Sequence, residues 1–333
     1  MTDGPGRVRW FALGGTIQCR GAGPLDLDGY HLTGLTVRAA ELLAPVSAQV
    51  GEVEIEEPTA GPSHDLTPAA VLELLARVRT ASTAAPAPIG FVVSCGTNGL
   101  EELAYLLWLL YEGPAPLVVT AAMLPPTAVG SDALGNLVEA ITVARQGPDG
   151  SGTPVVIVSD GAVLHPARAF KSHTARRDSF AASTAPIGWV RPGGAVQRSA
   201  GTTASPLAGL WLGTELPRVD ITYSHLGADG GAITAAVTAG ARGVVCAGMG
   251  AGFGARGERE AVVAALDEGA VICQATRTPF GSVEEPARTA LDPRVLLSRR
   301  LTPQKARLAV MVGLAAGRDH AGLQALLDAP AVD

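Results

Sequence analysis

Short apolar runs recur along this chain, each followed by a segment with helical spacing, and that alternation leaves few folds open. Val8–Leu13, Phe91–Ser94, Leu117–Ala121 and Val155–Ser159 read as buried strands, because they lack the polar alternation of a strand with one wet face. Between them, Thr67-Pro68 supplies an N-cap and a first-position proline for a helix over Ala69–Val78. Leu100, Leu103, Ala104, Leu107 and Leu110 recur at helical spacing until Gly113-Pro114, and Asp132–Arg145 predicts a third helix. Strands joined by helical crossovers form a parallel sheet covered on both faces.

Charge nearly vanishes from Pro192 to Leu210, where Gly, Ser, Thr and Ala dominate. The rhythm then resumes with strands at Val219–Tyr223, Val244–Ala247 and Val271–Gln274. Helices are expected over Ala232–Ala239, over Glu258–Glu268, and from Thr302-Pro303 to about Ala316. The expectation is an α/β protein of two domains. A larger N-terminal domain (1–192) has a mostly parallel sheet flanked by helices, and a linker (193–212) leads to a smaller C-terminal α/β domain (213–333).

With 333 residues, 47% of them hydrophobic, the chain can bury two sizeable cores. Its net charge of -6 argues against bulk nucleic-acid binding and against an anionic membrane surface, both of which need basic patches. No apolar run reaches the roughly 18 residues of a membrane span. The polar start, Met1 to Arg9, leads straight into a strand-like run without the pattern of a secretion signal. Cys19, Cys95, Cys246 and Cys273 are scattered with no CxxC pair, as reduced thiols are. A cytoplasmic enzyme is therefore expected.

Ligands of open parallel sheets bind beyond the carboxyl ends of the strands, so the residues that follow each strand come first. Gly14-Gly15-Thr16-Ile17 follows the first, and its glycines let backbone approach a ligand while Thr16 offers a hydroxyl. A tight turn with a capping hydroxyl would read the same way, and no GxGxxG opens a helix here. Cys95-Gly96-Thr97-Asn98-Gly99-Leu100-Glu101 follows the second strand, and Asn98 with Glu101 has the spacing of a capping box. After the fourth strand come Asp160, His165, Arg168, Lys171 and His173. A lysine desolvated near a threonine hydroxyl can serve as a general base, although most lysines are simply solvated. No His, Cys or Glu near His165 and His173 has zinc spacing, so no metal is expected. Cys95 lacks an ordered histidine partner, and Trp10 and Trp108 sit on apolar faces and read as core.

Taken in order, these segments resemble the bacterial-type L-asparaginase family of amidohydrolases. The resemblance runs from Ala12–Ile17 through Pro62-Ser63-His64-Asp65, Cys95–Glu102, Val119–Pro125, Ser131-Asp132 with Asn136, and Arg168–Thr174 to Leu301–Arg307. It implies a covalent mechanism with two threonines and no cofactor. Thr16 matches the family's nucleophile, and Tyr30, in the matching mobile loop, corresponds to the tyrosine that assists it. Thr97 matches the second threonine, and Lys171 matches the lysine that activates it. Gly15, Ser63, His64, Gly96, Asn98 and Ala121 fall at substrate-binding positions, with Ser63 where the substrate's α-carboxylate binds. The resemblance also implies a homodimer or homotetramer with active sites at the subunit interface, acting on a small-molecule amide.

Two departures bear on the substrate. The family's second motif reads His-Gly-Thr-Asp-Thr, whereas this chain has Cys95-Gly96-Thr97-Asn98-Gly99. The aspartate that contacts the substrate's α-ammonium is thus a neutral amide, which should cost about 1–3 kcal/mol of ammonium binding in a desolvated site. The family's Gly-Asn-Gly-Asn segment becomes Gly250-Ala251-Gly252-Phe253, and Phe253 cannot make the polar contact to the amino group. Glu284 and Glu285 are both candidates for the family's C-terminal acidic residue. Three readings follow: an asparaginase that tolerates both changes, an amidase for an amino-blocked or larger asparagine-like substrate, and a catalytically silent binding module.

Overall fold

The computed structural model describes residues 6–58, 61–146, 154–191, 193–194, 196–198, 206–289 and 291–329. The chain divides into two compact units, Met1–Gly209 and Leu210–Asp333.

In the first unit the strands are β1 (Val8–Ala12), β2 (Val53–Glu56), β3 (Gly90–Ser94), β4 (Leu117–Thr120), β5 (Val155–Ser159), β6 (Ala162–Leu164), β7 (Ala169–Lys171), β8 (Phe180–Ala182), β9 (Gly188–Val190) and β10 (Val196–Arg198). Eight of them form one sheet in the order β10-β9-β6-β5-β4-β3-β1-β2, and β7 pairs with β8 as a separate hairpin. Strands β1 to β5 run parallel, and β6, β9 and β10 extend the sheet antiparallel. Every residue of β3, β4 and β5 is buried, in line with their unbroken apolar sequences. Trp10 and Val92 pack with Leu137 and Ile141 of the helix Ala133–Arg145. Strand alternation sends Phe11 and Phe91 to the opposite face, where their rings stack at 6.5 Å. Both Trp10 and Trp108 are fully buried, and the Trp10 indole donates to Ser94 Oγ at 2.9 Å.

The helix Pro68–Ser82 starts where its signal places it, with Ala70 N donating to Thr67 Oγ1 at 3.2 Å. The helix Leu100–Leu110 is apolar around nearly its whole circumference and is buried all round. It opens differently from the capping-box expectation. Gly99 is the N-cap and no side chain caps it, because both would-be capping groups bond elsewhere, to Lys171. Strand β10 falls inside the stretch read as linker, which extends the N-terminal sheet into it; residues 199–205 of that stretch lie outside the described residues.

The second unit has a parallel sheet, β11 (Val219–Tyr223), β12 (Gly243–Gly248), β13 (Val271–Thr276) and β14 (Leu296–Leu297), in sequential order. Helices Gly231–Thr238 and Arg259–Asp267 cover one core, which contains Val244, Cys246 and Ile272. Among the described residues, no helix is long and apolar enough to cross a membrane.

Candidate active site

The order β5-β4-β3-β1-β2 reverses between β3 and β1, and such a switch point opens a crevice beyond the carboxyl ends of the two strands. Register brings those ends level, since Ala12 pairs with Ser94. Thr16 follows β1 and Thr97 follows β3, so both threonines are delivered to that crevice. The two turns touch through glycine: Gly15 has φ +84°, and a Cβ there would overlap the backbone of Gly96. The Ser63 segment packs against the same place, and Gly99 N donates to Ser63 Oγ at 3.2 Å.

The result is a cavity of about 770 Å³ within the first unit. Its lining includes Gly15, Thr16, Tyr30, Ser63, His64, Gly96, Thr97, Asn98 and Lys171, so nine of the ten site residues expected from the sequence share one space. Ala121 is the exception. It is 2% exposed, and its carbonyl accepts from Asn136 Nδ2 at 2.8 Å, while Met123 and Leu124 line the cavity instead.

The loop that carries Met123 and Leu124 is tied down by a carboxylate. Asp132 Oδ2 accepts from Met123 N at 2.9 Å, and Oδ1 from Leu124 N at 2.8 Å. Asn136 Oδ1 also accepts from Asp160 N at 3.0 Å, joining the loops after β4 and β5. Asp132 and Asn136 thus shape the site from outside it.

Two threonine hydroxyls face the cavity, each with a partner. Thr16 Oγ1 and Tyr30 Oη lie 3.2 Å apart, within hydrogen-bonding range. Tyr30 belongs to a loop that leaves and re-enters through a narrow neck, where Cys19 bridges Thr36 and Val37 N donates to Gln18 O at 2.7 Å. Gln18, 6% exposed, reinforces the neck: its Oε1 accepts from Gly14 N at 3.0 Å and its Nε2 donates to Glu57 Oε1 at 3.2 Å. In the second pair, Lys171 Nζ donates to Thr97 Oγ1 at 2.8 Å and to Asn98 Oδ1 at 3.0 Å. Burial lowers the Lys171 ammonium below the ordinary lysine range, and the Glu101 charge partly opposes that fall. A step that needs the free amine is therefore gained as pH rises through that lowered value.

Cys95 carries no such chemistry. It is 1% exposed, its thiol donates to Gly96 O, and burial pushes it up to about 12. All four cysteines are free thiols. Among the described residues, no group of three or more His, Cys, Asp or Glu is placed to hold a metal ion.

Comparison with known proteins places both units in one family. Residues 7–200 match the model of the N-terminal asparaginase domain, and residues 218–327 match that of the glutaminase/asparaginase C-terminal domain. The chain belongs to the asparaginase family. It is a hydrolase acting on amides. It is 28% identical to L-asparaginase 2 of Bacillus subtilis, over 96% of this chain and 85% of that protein. With "Probable L-asparaginase 4" of Schizosaccharomyces pombe the identity is 30%, over 95% and 88%. The fold is similar to a solved structure from Campylobacter jejuni described as a probable cytoplasmic L-asparaginase, with a TM-score of 0.85, 23% identity, and coverage of 97% of this chain and 99% of that one.

The asparaginase-family departures also find places in the structure. Asn98 lines the cavity with its Oδ1 committed to Lys171, so its Nδ2 remains as a donor. Phe253 is 41% exposed in the turn after β12. Glu284 and Glu285 are both paired with Arg299 in the second unit, at 3.4 and 3.2 Å.

Proposed function

We propose that this chain releases ammonia from the side-chain amide of L-asparagine or a close derivative through a threonyl acyl-enzyme. The observation that carries this reading is the pair of activated hydroxyls, Thr16 with Tyr30 and Thr97 with Lys171, facing one cavity at the switch point. Thr16 Oγ1 attacks the amide carbon, and the Tyr30 hydroxyl relays the proton, accepting it from Thr16 while giving its own to the leaving nitrogen. Backbone N–H groups beside Gly96 and Thr97 take the developing oxyanion. The C–N bond breaks and ammonia leaves with a proton. Water, deprotonated through Thr97 by Lys171, then cleaves the ester and frees Thr16.

The test is ammonia release by purified protein from asparagine, glutamine, N-acetyl-asparagine and an asparagine-containing dipeptide. Release from at least one of the four, absent in Thr16→Ala protein, is the expected result. Silence on all four would favour a binding module instead.

Asn98 favours a second reading for the substrate. An amide whose oxygen is held by Lys171 offers a donor, which suits an acyl or carbonyl group better than an ammonium. The cavity also has room beyond asparagine, with Leu27, Leu35 and Leu124 on its wall. Asn98→Asp is accordingly expected to raise kcat/KM for free asparagine about tenfold at near-neutral pH, where the substrate's α-amino group is charged, the equivalent of ~1.4 kcal/mol of restored ammonium binding. The same substitution should not improve the N-acetyl substrate. An equal gain on both would remove Asn98 as the selecting residue.

A cytoplasmic homodimer or homotetramer completes the proposal. Supporting it are the exposed apolar side chains Ile221, Tyr223 and Leu226 along and beyond β11, a surface that suits contact with another copy. Light scattering on the purified protein measures the oligomeric state directly.

A further inference from the structure

Of the 25 Lys and Arg residues in this chain, only Lys171 and Lys305 are lysines. Lys305 is fully buried in the second unit, whereas Lys171 is half-buried at the cavity. One short stretch of chain grips Lys171 at both ends. Its Nζ donates to Thr97 Oγ1 and Asn98 Oδ1, at 2.8 and 3.0 Å. Its main-chain N–H donates to Glu101 Oε2 at 2.8 Å, and Glu101 is 7% exposed in the first turn of the helix Leu100–Leu110. Side chain and backbone of the lysine are thus referred to the same five residues, 97–101.

We propose that Glu101 is a positioning residue for Lys171, fixing its backbone to the helix start and supplying the negative charge that Asn98 lacks. The proposal rests on the role given to Lys171 above. A general base must hold both its place and its proton affinity. A main-chain bond to a buried carboxylate restrains the place, because β7 cannot shift without breaking it. The charge acts on the affinity, since burial of Lys171 favours the free amine and Glu101 favours the ammonium. Other titratable groups surround the lysine as well. Cys19, Asp28, Tyr30, His31 and His64 share the cavity, Glu102 adjoins on the helix, and Arg168 and His173 flank Lys171 in sequence; the partner strand β8 carries none. Geometry singles out Glu101 among them, because its carboxylate holds the Lys171 main-chain N–H, and its charge favours the ammonium.

Competitive acetylation with trace acetic anhydride, read at Lys171 by mass spectrometry, follows its free amine against pH without any substrate. Glu101→Gln is expected to move the Lys171 titration to lower pH, and Asn98→Asp to move it to higher pH. For ammonia release, Glu101→Ala should lower kcat on the order of 10²-fold with KM little changed, as a displaced base does. Glu101→Gln keeps an acceptor for the Lys171 N–H, so it should retain most of kcat with the acid limb of the profile shifted to lower pH. An unchanged titration in folded Glu101→Gln protein would overturn the charge role. A loss in Glu101→Ala fully explained by its unfolded fraction would overturn the positioning. Wild-type protein that releases no ammonia would defeat the proposed reaction, and the acetylation profile would still decide the part played by Glu101.

Discussion

Thr16→Ala protein is expected to be folded and to lose ammonia release by at least about 10³-fold, and Thr97→Ala to lose a comparable amount. The two losses have different origins. Without Thr16 Oγ1 there is no nucleophile beside Tyr30 Oη. Without Thr97 Oγ1, Lys171 Nζ loses the acceptor through which it would pass its effect to water. Neither residue holds the sheet together, because each follows its strand rather than lying in it. The double variant should therefore be little worse than either single one, as for groups that act as a unit. Multiplying losses in the double variant would break the scheme of a shared reaction path, and substantial turnover in purified Thr16→Ala protein would remove the nucleophile assignment. Thermal unfolding of both variants, close to wild type, is the control that separates chemistry from folding.

Gly15→Ala is expected to damage both stability and activity. The backbone at Gly15 has φ +84°, which costs an alanine roughly 1–3 kcal/mol. The added methyl would overlap Gly96 Cα and N, and backbone cannot swing aside as a flexible side chain can. Overpacking of that kind adds about 1–3 kcal/mol more. A midpoint shift in urea measures the total. Any folded fraction should be nearly inactive, because the turn that carries Thr16 must move away from the turn that carries Thr97. A stable and active Gly15→Ala protein would show that the two turns are not interlocked.

Much of this architecture was legible in the chain. Strands with unbroken apolar sequences, such as Val155–Ser159, stand where expected, because a parallel strand buried on both faces has no reason to alternate. Strand β2 was not seen. Its Val-Glu-Ile-Glu sequence looks like a solvated segment, yet as an edge strand beside β1 it needs only one good neighbour, and Glu56 pairs with Arg9 and Arg77. The short strands β6 to β10 escaped for another reason, since three-residue runs carry no readable period. Among site residues, those just after long strands were legible because topology delivers them to the crevice. In the loop that carries Ala121, only the structure shows Asp132 holding the Met123 and Leu124 N–H groups and Asn136 holding the Ala121 carbonyl, so that Met123 and Leu124 line the cavity. Asn98 and Glu101 have the spacing of a capping pair. Nothing in the local sequence reveals that a lysine seventy residues further on competes for both.

The narrow neck of the Tyr30 loop has a consequence for how a family of this kind diversifies. Residues 20–35 depart and return through adjoining backbone at Cys19 and Thr36, locked by Gln18 and Val37. Whatever length of chain hangs beyond that closure, the sheet registers the same two anchor points. A replacement segment that keeps Tyr30 beside Thr16 and the bonds of Gly21 N to Thr127 Oγ1 and of Val129 N to Pro24 O is therefore expected to reshape the cavity wall formed by Leu27, Asp28 and Leu35 while leaving Thr97, Lys171 and the strands in place.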